Sequence, residues 1–525
     1  MAIVQSGPVS AGPVVPESVH RRRWGILAVL VVSLLVVVLD NTVLNVALPR
    51  IQEQLGASQS QQEWIIDGYT LAFAALLFPY GVLGDRRGRR RVLLLGLALF
   101  GAGSVASAYA TTPEMLIAMR VVMGAGGAAV FPATLAIITN VFGPEERGRA
   151  IGVWAGASGL ALAIGPLVGG SLLDAGFWWG SVFLINAPIV AIGLIGIVIL
   201  VPESRDEHPQ ALDPWGILLA AGGLLLLVYG IIRAGETSDW ANPVVLTTML
   251  AGLAVLIAFA WLELRNRNAA VDMGWFRNPA FSAAVGALTL VSFALFGVML
   301  FGTYYLQFDR AYSPLRAGVL LLPLALGAGV CAPLSSILVN RFGPRWVSAA
   351  GLSLIAVAFG SFMVVDHHTA VGWLELLLFG LGVGMGVSMA PTTTVILESL
   401  PAQRAGAGSA VNSTVRQVGG ALGVAVLGSL LSTVYRSRIA DALSALPPAL
   451  RGPAGESIGA TQIITQRLGA QLPDHGAALH EAASAAFVHA MHVTAAVSGA
   501  AMLVAIAVVL IFMPRGRGNQ KGTLP

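Results

Sequence analysis

Fourteen apolar stretches, each about 20 residues long and so able to cross the hydrocarbon core as a helix, follow one another along this chain. They lie near 24–45, 64–84, 92–110, 115–138, 150–173, 181–201, 213–233, 243–262, 281–307, 316–339, 346–365, 371–397, 406–435 and 488–513. None alternates apolar and polar residues with a period of two. A closed barrel is therefore excluded, and helices are the other way to satisfy backbone groups in lipid. The pattern predicts an all-α membrane protein with 14 transmembrane helices. The Gly/Pro/Val/Ser-rich stretch 1–23 reads as a disordered tail, and 514–525 as a second tail. Arg21–Arg23 ahead of an apolar run looks like the start of a signal peptide, but the run is too long and no small-residue cleavage site follows. The polar segment 437–484, between the last two spans, is unusually long. Its Pro447-Pro448 and Gly452-Pro453 predict a hairpin or short helices.

A weak repeat divides the spans. Gly84-Asp85-Arg86-Arg87-Gly88-Arg89-Arg90 follows the second span, and Val339-Asn340-Arg341-Phe342-Gly343-Pro344-Arg345 follows the tenth. Repeated halves are a mark of transporters that rock one bundle against another. The spacing suits a six-helix bundle over 24–201, an inserted helix pair with linkers over 202–280, and a second six-helix bundle over 281–513.

Composition agrees with this reading. Of 525 residues, 56% are hydrophobic and only 11% charged, which excludes a soluble protein. The sequence pI of about 9.5 suggests nucleic acid at first sight, but the charges fall in short clusters between apolar runs, so no nucleic-acid partner is expected. The single cysteine, Cys331, rules out an intrachain disulfide or a thiolate metal cage. Positive charge sets orientation. With both termini inside, 20 of the 30 Lys and Arg residues fall on the cytoplasmic side, 8 outside, and only Arg120 and Arg416 within spans.

Several segments together carry a family resemblance. Gly81-Val82-Leu83-Gly84-Asp85-Arg86-Arg87-Gly88-Arg89-Arg90 resembles the cytoplasmic loop motif of the major facilitator superfamily. Leu39-Asp40-Asn41-Thr42-Val43-Leu44-Asn45-Val46-Ala47-Leu48-Pro49 resembles the first-helix signature of its fourteen-span drug:proton antiporter branch, the EmrB/QacA type. Leu116 through Arg120 to Gly124 and Gly126 is similar to the fourth-helix arginine motif. Gly156 through Gly165-Pro166 to Gly169-Gly170 is similar to the fifth-helix antiporter motif, and Trp64-Ile65-Ile66-Asp67-Gly68-Tyr69 to the second-helix entry of QacA-like exporters. The resemblance implies a major facilitator fold, two six-helix bundles plus an inserted helix pair, in a bacterial inner membrane. It implies a proton-coupled antiporter, driven by the proton gradient without a cofactor, that acts as a monomer and exports amphipathic small molecules. It also implies a latch at Gly84, Asp85, Gly88 and Arg89 that stabilises the outward-open state. The second-half copy carries Asn340 in place of that acid. QacA-like cation exporters have further acids in the tenth and thirteenth spans, where this chain has none. Neutral, anionic or singly cationic substrates are therefore expected over rigid dications.

Ionisable residues within spans cost about 2.5–3.5 kcal/mol each at the helix centre on insertion scales, so each points to function. Asp40, Asp67 and Arg120 fall at comparable depth in the outer half and are the candidate proton-coupling residues. Asp40 lies sixteen residues past Trp24, about 24 Å along a helix. A buried Asp40–Arg120 pair broken by protonation would serve coupling; the alternative is a static pair that fixes helix packing. Gly156, Gly165, Pro166, Gly169 and Gly170 predict a kinked helix with one smooth face for sliding contact between bundles. The candidate cavity residues are Asn45, Tyr69, Phe131, Trp154, Tyr304, Tyr305, Asn412 and Arg416. His489 and His492 share a helix face but lack acidic or cysteine neighbours, so no metal site is assigned. Three readings remain open: an exporter of drug-like or antibiotic molecules, an exporter of an endogenous metabolite or lipid, and a non-transporting membrane receptor. No nucleophile–base or metal constellation marks an enzyme.

Overall fold

The computed structural model of this chain describes residues 17–57, 59–205, 214–237, 239–265, 273–312, 314–400, 404–444, 446–469 and 473–515. Each predicted span is helical. The long helices are α1 (Glu17–Leu55), α2 (Gln59–Arg87), α3 (Arg89–Ala108), α4 (Pro113–Val141), α5 (Pro144–Asp174) and α6 (Ser181–Leu200). They continue as α7 (Pro214–Thr237), α8 (Pro243–Arg265), α9 (Pro279–Tyr304), α10 (Arg316–Phe342), α11 (Pro344–Phe362), α12 (Val371–Glu398), α13 (Ala405–Leu443) and α14 (Pro473–Phe512). Among the described residues, 13 helices are long and apolar enough to cross a membrane. The remaining expected span, 150–173, lies on α5, a helix of 31 residues, several of whose side chains are outside the description.

Two apolar cores form. One is built almost entirely from residues 26–201, the other from residues 281–513. The halves meet in a crossed pattern: α5 packs against α10 and α12, and α13 against α2 and α4. The second helix of each half thus touches the fifth helix of the other. Helices α7 and α8 pack on one another, and α7 also packs on α2 and α13. Trp64 stacks on Tyr229 at 6.3 Å and Phe78 meets Phe259 edge-on at 5.8 Å.

Two boundaries differ from the sequence reading. Residues 17–23, expected in the disordered tail, are the first turns of α1. Arg23 is held there by Glu146 on α5 at 2.7 Å, a tertiary partner 123 residues away that local composition does not reveal. At the other boundary, α13 runs on to Leu443, and the long segment after it forms helices Pro448–Glu456 and Ile458–Gly469. These dock on the second half: Ala454 and Ile458 join its core, and the Tyr435 and Thr461 hydroxyls lie 2.6 Å apart.

The repeat is visible in the backbone. Gly88 and Gly343, each leading into the following helix, have φ of 112° and 82°, a region open to glycine and strained for other residues. Gly84 is different. It is helical, and a Cβ there would sit 3.8 Å from Arg89 Cγ, an ordinary contact. The tight turn therefore requires Gly88 and does not require Gly84.

Candidate functional site

The acid and the base expected from the first and fourth spans meet. Asp40 and Arg120, exposed by 2% and 0%, form a salt bridge from Arg120 Nη1 to Asp40 Oδ2. Asn186 on α6 donates to Asp40 Oδ1 at 2.9 Å and lies 3.0 Å from Ser104 Oγ on α3. Ser104 in turn donates to the Phe183 carbonyl at 2.9 Å. Arg120 Nε donates to the Ile65 carbonyl of α2 at 3.1 Å, and its guanidinium stacks over the Tyr69 ring at 4.3 Å. Five helices therefore converge on one buried ion pair. Such a pair is costly to desolvate and is maintained where hydrogen bonds satisfy the remaining polar atoms. Asn186 Oδ1 and the Tyr69 hydroxyl are exceptions: both are buried and have no hydrogen-bond partner.

Asp67 does not join this pair. It lies two residues past Ile65, about 200° around the helix, on the stripe of α2 that carries Trp64 and Leu71. That stripe faces Val228 and Tyr229 of α7. Equal depth did not bring the three ionisable groups together, because helical rotation separates them.

A second cluster ties the two halves together at the arginine-rich end. Asp85, at the end of α2, accepts hydrogen bonds from the Gly406 and Ala407 backbone N–H groups at 2.9 and 3.0 Å. These belong to the first turn of α13, where unpaired N–H groups and the helix dipole favour an anion. Arg89 grips the same carboxylate through Nε at 2.9 Å and Nη2 at 2.6 Å, and is itself 1% exposed. A Cβ at Gly406 would collide with the Asp85 carboxylate, so the contact needs glycine there. Glu203, at the end of α6, accepts from the Arg90 N–H at 3.1 Å and lies 3.5 Å from Arg91.

The fifth-helix glycines divide between two faces. Gly148, Gly152 and Gly156 recur every four residues and face Ser336, Ala332 and Gly329 of α10 across the interface between halves. A Cβ at Gly156 would stand 2.9 Å from the Gly329 Cα. Gly165 and Gly169 instead press on Thr42 and Val43 of α1, within the first half, and Gly170 has open space beside it. The single smooth face expected from these glycines is thus two faces. Gly156 and Gly165 are nine residues apart, about half a turn out of phase.

The cavity candidates also separate. Tyr69 lies beneath Arg120. Trp154 is fully buried, donates to Thr134 Oγ1 at 3.1 Å and meets Phe131 edge-on at 6.0 Å. Tyr305 is 2% exposed and donates to the Asp366 carbonyl at 2.6 Å. Trp154 and Tyr305 are therefore packing residues in this conformation, their polar tips already paired. Tyr304 is half-buried and packs on Phe308 at 5.5 Å. The side chains of Asn45 and Pro166 lie outside the described residues. On α13, Asn412 is fully buried with neither amide atom paired, and Ser413 Oγ and Thr414 Oγ1 are likewise unpartnered. His489 lies 3.1 Å from Arg438, and His492 lies 2.7 Å from the Val365 carbonyl, so the two imidazoles have separate partners.

Asn186, Ser104, Glu203, Gly148, Gly152 and Gly406 join these sites without having been expected from sequence. The four-residue glycine spacing was a usable signal for the α5 face. The lone Asn186 in an apolar run was another.

Two facing helical halves, a buried ion pair in one and a polar tether between them, define a polytopic membrane protein of the transporter class. A profile of the Major Facilitator Superfamily matches residues 30–424. The chain is similar to the multidrug efflux pump LfrA of Mycolicibacterium smegmatis, with 36% identity over 93% of this chain and 96% of that one. It is also similar to the methyl viologen resistance protein SmvA of Salmonella typhimurium, with 35% identity over 94% and 98%. Among solved structures, a bacterial homolog of the human lysosomal transporter Spinster superposes with a TM-score of 0.56 at 19% identity, over 94% of this chain and 98% of that one. The chain belongs to the major facilitator superfamily.

Proposed function

We propose that this protein is a proton-coupled antiporter of the fourteen-span EmrB/QacA branch, exporting drug-like or antibiotic amphipathic molecules by alternating access. The observation that carries the proposal is the buried Asp40–Arg120 pair, with Asn186 beside it and Arg120 bonded to α2. Ionised Asp40 holds Arg120. A proton arriving at Asp40 removes the charge that Arg120 faces. Rotation of the Asn186 amide then offers the new acid O–H an acceptor, the Oδ1 that has no partner now. Release of Arg120 loosens its grip on Ile65 and Tyr69. These residues lie on the same helix as Asp85, twenty and sixteen residues away, about 30 and 24 Å at 1.5 Å per residue. Helix α2 thereby links the proton site to the tether on α13.

On this reading the arginine-rich end is cytoplasmic, as are both termini, in a bacterial inner membrane. The Asp85 tether closes that side and stabilises an outward-open state. The monomer suffices, and no cofactor takes part. Relatives named for multidrug efflux and methyl viologen resistance support drug export. Methyl viologen is a dication, so the absence of acids from α10 and the transmembrane part of α13 makes charge preference a property to measure in this chain.

The test is accumulation of ethidium in proteoliposomes under an imposed proton gradient. One proton moving through 100 mV supplies about 2.3 kcal/mol, enough for roughly a 40-fold gradient of a neutral substrate. Asp40→Asn is expected to abolish accumulation with the protein still folded. Unchanged gradient-driven accumulation in that variant would overturn the coupling site.

A further inference from the structure

Arg416 sits on α13 ten residues beyond Gly406, where that span begins, about 15 Å into the bilayer on the helix rise. Among the described residues it has neither a salt bridge nor a hydrogen-bond partner. A guanidinium at this depth is expensive and is normally paired with an acid or with backbone carbonyls. One turn before it, on the same face, stands Asn412, fully buried with both its amide nitrogen and its amide oxygen unsatisfied. Buried polar groups without partners are rare in native structures and each asks for an explanation. Asn412 is such a group, and half-buried Arg416 a turn away has no partner among the described residues; one explanation covers both, a partner supplied by a bound molecule.

The local packing leaves room for such a partner. Gly419 and Gly423, a turn and two turns further along the same stripe, press against Thr289 and Phe293 of α9, whereas Gly286, the next turn of α9 toward the level of Arg416, has nothing within 4 Å of its Cβ position. Tight packing stops one turn short of the arginine.

We propose that Asn412 and Arg416 form the recognition site for an anionic oxygen group on the exported molecule, a carboxylate or an ionised phenol or enol. The guanidinium supplies charge and a planar fork of donors, and the Asn412 amide supplies a further donor a turn away. The inference rests on the exporter reading and deepens it by assigning a substrate class. It also agrees with the bare spans: α10 and the transmembrane part of α13 contain no carboxylate that would compete for Arg416.

The probe is a matched pair, pyrenebutyric acid and its methyl ester, titrated by fluorescence against the full chain in nanodiscs at neutral pH. Hydrogen bonds to a charged group are worth enough to expect the wild type to bind the acid at least about tenfold tighter than the ester. Arg416→Gln should reduce that ratio to near one, Arg416→Lys should retain part of it, and Asn412→Ala should weaken the acid more than the ester. Because acid and ester are read on the same sample, a misfolded variant loses both affinities, whereas loss of the charge partner removes only the acid's advantage. If a glutamine variant cannot be prepared, the wild-type ratio and the lysine variant still decide. Equal wild-type affinities would mean that water alone solvates Arg416, and the proposal fails. An undiminished ratio in Arg416→Gln would overturn it equally. Gradient-driven accumulation by the wild type is independent of this ratio: its absence for both ethidium and pyrenebutyric acid would sink the exporter reading, and equal acid and ester binding would sink only this inference.

Discussion

The buried polar groups of α1, α3, α4 and α6 and those of α13 lie in halves of like construction and are treated in opposite ways. In the first half, Asp40, Arg120, Asn186 and Ser104 satisfy one another, and one amide oxygen is left over. In the second, Asn412, Ser413 and Thr414 have unpaired side-chain atoms, and Arg416 has no partner among the described residues. A satisfied network specifies one arrangement and resists change until its charge changes. An unsatisfied one costs stability continuously and is relieved by what binds. On the proposed function, this difference would put the switching element in one half and the recognition element in the other.

Removing one member of the satisfied cluster should produce the largest effect. Arg120→Met leaves the Asp40 charge buried and unpaired, and a loss of about 3–5 kcal/mol is expected, measured as a fall in thermal midpoint in detergent. Asp40→Asn combined with Arg120→Met should recover most of that stability without restoring coupling. An Arg120→Met variant as stable as the wild type would mean that the pair does not hold these helices together.

The comparison is sharpest between two asparagines. Asn186→Leu removes the donor to Asp40 and to Ser104 and should destabilise by about 1–3 kcal/mol. Asn412→Leu removes a group that pays desolvation and bonds nothing, and should leave the ligand-free protein as stable or more so. Equal losses at the two positions would erase the distinction between the halves.

Asp85→Asn gives up the charge that α13's first turn and Arg89 share, at an expected 1–3 kcal/mol to this conformation. Spin labels on the two halves should report a shift toward inward-open. An unaltered distance distribution would reduce Asp85 to a topological charge.

The smallest effect calibrates the rest. The hydrogen bond from Arg23 holds the Glu146 carboxyl below its usual range. Because that pKa is lowered, the contribution is present at neutral pH, above the ordinary glutamate value, and is lost as acid pH falls through the lowered one. Glu146→Gln should change the midpoint little at neutral pH, since solvent screens much of such a pair near the surface. A loss comparable to that of Arg120→Met would show that burial is not what separates the two ion pairs.

The all-helical class and 13 of the expected spans were legible in the chain, because roughly 20 apolar residues can satisfy their backbone in lipid only as a helix. Asp40, Arg120 and Arg416 stood out as candidates for a related reason: charge in a span is costly wherever the helix sits. What one-dimensional pattern could not supply was rotation and partnership. Asp67 shares its depth with Asp40 and faces away. Gly165 and Gly156 share a motif and touch different helices. Asn186, 146 residues from Asp40, becomes its partner only once α6 is packed beside α1. Hydropathy depends on the local solvent and is written residue by residue, whereas the pairing of buried polar groups depends on helix rotation and packing, which the tertiary structure alone decides.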